Sequence, residues 1–138
     1  MTEQEIHNIC KEYNITNYTI NQDGSIDVDG IVDLEYNELT KIPIKFNKVS
    51  SWFKVSYNKL TSLKGSPKEV GSFFTCYDNK LNDLKYAPNR IESWFDCSVN
   101  NLKNLNRLER HVQTMETLKF EELSLSKETE KAVAEMGF

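Results

Sequence analysis

The chain has 138 residues, a net charge of −4, a mean hydropathy of −0.59 and three cysteines. That is the length of a single domain, with no apolar run near the roughly 18 residues a membrane-spanning helix needs and too few cysteines for a disulfide framework or a zinc site. Met1-Thr-Glu-Gln-Glu-Ile6 lacks the basic opening and apolar core of a secretory signal, so a soluble protein of the cytoplasm is expected.

Thr2-Glu-Gln-Glu5 reads as a capping box, in which hydroxyl and carboxylate each take an orphan backbone N–H. Ile6, Ile9, Cys10 and Tyr13 follow at helical spacing, which predicts a helix over residues 3–13 with one apolar face. Tyr18, Ile20, Ile26 and Val28 alternate on either side of Asp23-Gly24, the pattern of a β-hairpin. Helix and hairpin together make a cap over residues 1–30. Asp23, Asp27, Asp29 and Asp33 do not have the spacing of a calcium loop and no Glu closes them, so no metal site is expected.

From Ile31 to Val112 one pattern comes round four times. Asn37, Asn58, Asn79 and Asn100 are 21 residues apart. With each Asn as position zero, Leu39, Leu60, Leu81 and Leu102 stand at plus two, and Ile42, Leu63, Leu84 and Leu105 at plus five. Val49, Val70, Ile91 and Val112 stand at plus twelve. Val32, Phe53, Phe74 and Phe95 occupy minus five, and Leu34, Val55, Cys76 and Cys97 minus three. Positions minus five and minus three are two apart, so they share the inner face of a strand that stacks beside its equivalents in a parallel sheet. The Asn amide suits the turn that follows, because it can pair with backbone groups the bend leaves over. Pro43, Pro67 and Pro88 interrupt the return limb, where irregular or short 3₁₀ connections are expected. Cys76 and Cys97, neighbours in one inward column, read as small buried hydrophobes rather than a redox pair.

Beyond Val112 the pattern decays. Met115, Leu118 and Leu123 continue some columns, but Glu116 and Glu121 replace an apolar residue and the Asn. Residues 113–138 are therefore expected to form a degenerate capping repeat and a helix from Lys127 to Met136, closed by Gly137.

No catalytic constellation stands out. His7 and His111 are the only histidines, and neither a nucleophile elbow, a phosphate-cradling glycine loop nor a cofactor motif is present. A non-catalytic protein without metal or cofactor is the expectation.

The informative column is minus six: Ile31, Trp52, Phe73 and Trp94. It alternates with the buried minus-five column, so these side chains leave the core for the concave face. Asp33, Lys54, Thr75 and Asp96 follow at minus four and Glu35, Ser56, Tyr77 and Ser98 at minus two, with Tyr36 and Tyr57 near the turn. The candidate partner-binding set is Ile31, Trp52, Phe73, Trp94, Lys54, Tyr77, Tyr57 and Tyr36, because contiguous aromatic patches on soluble proteins mark interaction sites. Residues 41–90 carry ten bases against three acids, whereas residues 1–40 carry nine acids against one base, and a basic middle of that kind can steer a partner.

Segments such as Phe53-Lys-Val55-Ser-Tyr-Asn58-Lys-Leu60-Thr-Ser-Leu63-Lys-Gly65-Ser-Pro67-Lys-Glu-Val70-Gly71 resemble the short leucine-rich repeats of small proteins from tailed bacteriophages and bacteria. The likeness covers residues 18–123. It implies an α/β repeat solenoid with a parallel sheet on its concave face, binding another protein there. For a phage-encoded protein that partner would be a host enzyme or host defence protein, which binding would inhibit. Trp and Phe at minus six depart from the polar residues commonest in such repeats. The alternative reading is a single-stranded nucleic-acid binder that stacks bases on the aromatics beside the basic middle; a third is self-association through the stripe.

Overall fold

The computed structural model describes residues 1–103. The expected degenerate repeat and helix over 113–138, and Leu105 and Val112 of the fourth copy, lie outside the described residues.

Helix α1 spans Glu3–Glu12, and its capping box forms as the sequence implies: Glu5 N–H donates to Thr2 Oγ1 at 3.1 Å and Thr2 N–H to Glu5 Oε1 at 3.3 Å. Ile6 and Cys10 are buried on the core, with Ile9 and Tyr13 packed at its margin. Strands β1 (Tyr18–Ile20) and β2 (Ile26–Val28) pair antiparallel with Tyr18 opposite Val28. Asp23 shapes their turn by accepting from Ser25 N–H at 3.0 Å and Ser25 Oγ at 2.6 Å, while Gly24 supplies the positive φ of 85°.

The repeats coil into a solenoid with a sheet on each side. One sheet contains β3 (Val32–Asp33), β5 (Phe53–Lys54), β7 (Phe74–Thr75) and β9 (Phe95–Asp96), all parallel and in register, so that Val32, Phe53, Phe74 and Phe95 stand in one row. Their side chains are at most 1 % exposed, and Phe53 and Phe74 stack with centroids 5.4 Å apart.

The return limb corrects the expectation of an irregular connection. It forms β4 (Phe46–Val49), β6 (Glu69–Val70) and β8 (Arg90–Ile91), which extend the hairpin into a sheet of order β1-β2-β4-β6-β8, parallel from β2 onward. The expected α/β repeat is thereby corrected as well: among the described residues each rung consists of strands and turns, and the one helix belongs to the cap. Proline explains the lengths. Phe46 stands at plus nine and its N–H donates to Gly65 O at 2.9 Å, whereas Pro67 and Pro88 fill that column in the next two rungs and have no N–H to give. Columns plus ten to plus thirteen contain no proline, so the ladder resumes there around Val49, Val70 and Ile91, whose β-branched side chains suit a pleated surface.

At the turn after the first sheet the asparagines make a ladder. Asn58 Nδ2 donates to the carbonyls of Leu34, Val55 and Ser56, while its Oδ1 accepts from the N–H groups of Asn37 and Leu39 at 3.0 Å each. Asn79 and Asn100 repeat the carbonyl bonds one and two rungs further on, and each accepts one N–H, from Leu60 and Leu81 respectively. Cys76 and Cys97 are fully buried free thiols, and burial pushes both well above the usual thiol range, as for small core hydrophobes.

Candidate functional site

The outer side of the β3-β5-β7-β9 sheet gathers all eight residues of the predicted set. Because that sheet is in register, each sequence column becomes a row of side chains about 4.8 Å apart. Trp52 and Phe73 stack with centroids 5.7 Å apart and planes 10° from parallel, and Phe73 and Trp94 stack at 4.4 Å and 10°. Trp52 and Phe73 are half-buried, Trp94 is 44 % exposed and Ile31, one rung before Trp52, is 51 % exposed. The Lys54 ammonium lies 4.5 Å from the Trp52 ring centre and 5.8 Å from that of Phe73, a cation held against the wall.

A second aromatic group stands across the sheet. Tyr36 and Tyr57 stack at 4.5 Å with planes 8° apart, and Tyr77 meets Tyr57 edge-on at 4.9 Å. Tyr36 and Tyr57 stand at minus one with φ of 58° and 56°, and Asp78 and Val99 hold the same left-handed conformation. Bulky and β-branched residues rarely adopt it, at a cost of order 1–3 kcal/mol each. The turn into each Asn demands that backbone geometry, yet the column carries tyrosine and valine where glycine or asparagine would be unstrained.

Between the two walls the floor consists of short side chains. Ser56 is 0 % exposed and Thr75 2 %, although both lie on the outward side of their strand. Ser56 Oγ accepts from Tyr77 N–H at 3.1 Å, and Asp96 accepts from Ser98 N–H at 3.0 Å and Ser98 Oγ at 2.7 Å. The face is a trough with aromatic walls.

Its electrostatics are acidic. Burial raises the Glu35 carboxyl, the neighbouring Asp33 raises it further, and Lys54 opposes both. The Tyr77 hydroxyl is pushed well up by its hydrogen bond with Tyr57, then by burial, with the Glu35 and Asp96 carboxylates adding to it. Apart from Lys54, every base of residues 41–90 lies at plus one or beyond, on the turn and the return limb, so the basic middle does not border the aromatic stripe.

One pattern escaped the sequence reading. On the other sheet Asp27, Lys48, Glu69 and Arg90 stand in register in alternating sign, and Lys48 Nζ approaches Glu69 at 3.8 Å. The signal was present at plus eleven, one column from the valines. The aspartates weighed for calcium are engaged within the chain: Asp23 with Lys45, Asp27 with Asn21 and Asn47, Asp29 with Ser50. Among the described residues no cluster of three or more His, Cys, Asp or Glu is placed to hold a metal, and no helix is long and apolar enough to cross a membrane.

Comparison with protein-family models, with curated proteins and with solved structures finds no match to this chain.

Proposed function

We propose that the protein is a non-catalytic binder that holds another protein in the trough of its β3-β5-β7-β9 sheet. The observation that carries this reading is the wall of Trp52, Phe73 and Trp94, three stacked rings that reach solvent instead of the core. Such contiguous aromatic surface is costly to leave in water and is where interface anchors concentrate. The tyrosines of the opposite wall point the same way, since Tyr36 and Tyr57 hold a left-handed turn that tyrosine rarely adopts and Tyr36 is exposed.

The repeats are read as leucine-rich repeats of the small phage type, on the plus-two and plus-five leucines and the asparagine ladder. On that reading the protein acts in the host cytoplasm, and its partner is a host enzyme or defence protein that it inhibits. The nucleic-acid alternative is weaker. The rings of the wall cover one another's faces at 4.4–5.7 Å, leaving mainly edges to a base, and the surroundings are acidic. Self-association would oppose two acidic faces.

The test is affinity capture from a host lysate with the parent protein and with Trp52→Ala/Trp94→Ala. A partner retained by the parent and lost by the variant, at a cost of about 2–4 kcal/mol in a purified pair, is expected for central aromatic anchors. A partner bound equally by both moves the site elsewhere.

A further inference from the structure

The chemistry of the partner follows from what the face already does with a cation. Lys54 lays its ammonium over Trp52 and Phe73, at 4.5 and 5.8 Å. One rung further on the wall continues as Phe73 and Trp94, but the residue in register with Lys54 is Thr75, which carries no charge. Thr75 is 2 % exposed and its Oγ1 has no hydrogen-bond partner. That rung of the face therefore has the aromatic wall but no cationic donor of its own.

Charge points to the same donor. The outward columns of the face, minus six to minus one, hold Asp33, Glu35, Asp78 and Asp96 against the single base Lys54. An incoming ammonium or guanidinium gains Coulomb attraction from these carboxylates, while its aliphatic stem lies against the rings.

Resting on the binding function proposed above, we infer that the trough takes a Lys- or Arg-bearing segment of the partner, with one cationic head against Phe73 and Trp94, in the row where Thr75 stands in place of a lysine.

The experiment is selection from a displayed library of random linear peptides on the immobilised full chain, followed by binding of the selected peptides in solution. Trp52 and Trp94 are the only tryptophans, so an occupant of the trough changes the intrinsic emission without any substitution. Expected are peptides enriched in Lys and Arg over the unselected library that shift the tryptophan emission. They should weaken as salt rises and lose several-fold in affinity on Glu35→Gln/Asp78→Asn. Peptides that shift the emission but carry no basic enrichment would overturn this inference and leave the binding function standing. Failure to select any peptide that shifts the emission would also overturn it, and the lysate capture then decides the binding function separately.

Discussion

Asn79 donates its side-chain amide to the carbonyl of Val55, 24 residues upstream, at 3.1 Å. The same amide holds its own rung through Cys76 O, and its oxygen accepts from Leu60 N–H at 2.9 Å. One side chain thus pins two successive coils at a buried turn, which fixes the register that sets the aromatic wall.

The asparagines are therefore expected to rank in importance. Asn58→Ala should cost most, because it orphans the N–H groups of Asn37 and Leu39 at about 1–3 kcal/mol for each one that stays buried. Asn79→Ala orphans Leu60 N–H and should cost less. Asn37→Ala, at an exposed turn with bonds only to Leu34 and Glu35 carbonyls, should cost least. Urea denaturation of the three variants checks the order; equal losses would contradict it.

Gly71 separates close approach from backbone conformation. A Cβ there would overlap the carbonyl of Ser50 on the preceding rung, so Gly71→Ala should cost about 3 kcal/mol or more by forcing the rungs apart. Gly24 has open space around it and only its φ of 85° to lose, so Gly24→Ala should cost about 1–2 kcal/mol. Thermal melts of the two should differ clearly, with Gly71→Ala the lower.

Tyr36 tests whether strain is kept for binding. Tyr36→Asn relieves a left-handed tyrosine and gives up its stack on Tyr57, worth about 0.5–1.5 kcal/mol. Stability should stay within about 1 kcal/mol of the parent on these opposing terms, while affinity for a trough-bound partner falls. A large loss of stability with unchanged affinity would make Tyr36 structural.

Two carboxylates should respond to pH with opposite sign. Hydrogen bonds from Ser25, then Lys45, hold the Asp23 carboxyl well below its ordinary value; its contribution is present above that value and lost as pH falls through the lowered one. Glu35 is raised, chiefly by burial and then by Asp33, so its ionised form opposes folding near neutrality and the penalty fades on acidification. Melting temperature against pH should show Glu35→Gln above the parent at neutral pH and converging with it in acid. Asp23→Asn should fall below the parent at neutral pH and converge with it only in strong acid.

The repeat columns alone settle which side chains face inward, which share the outer stripe and where the asparagine turns fall. A strict 21-residue period stacked in register turns each column directly into a row in space, so Trp52, Phe73 and Trp94 had to be neighbours once Phe53, Phe74 and Phe95 were. Tertiary structure alone decided that the return limb is a sheet, because its bonds run between rungs through backbone groups that every residue but proline carries alike. The sign of the trough's charge was legible too, since Lys54 alone among the bases of residues 41–90 lies between minus six and minus one of a repeat. The depth of the trough was not, because whether Ser56 and Thr75 lie sunken depends on the side chains that the fold sets around them.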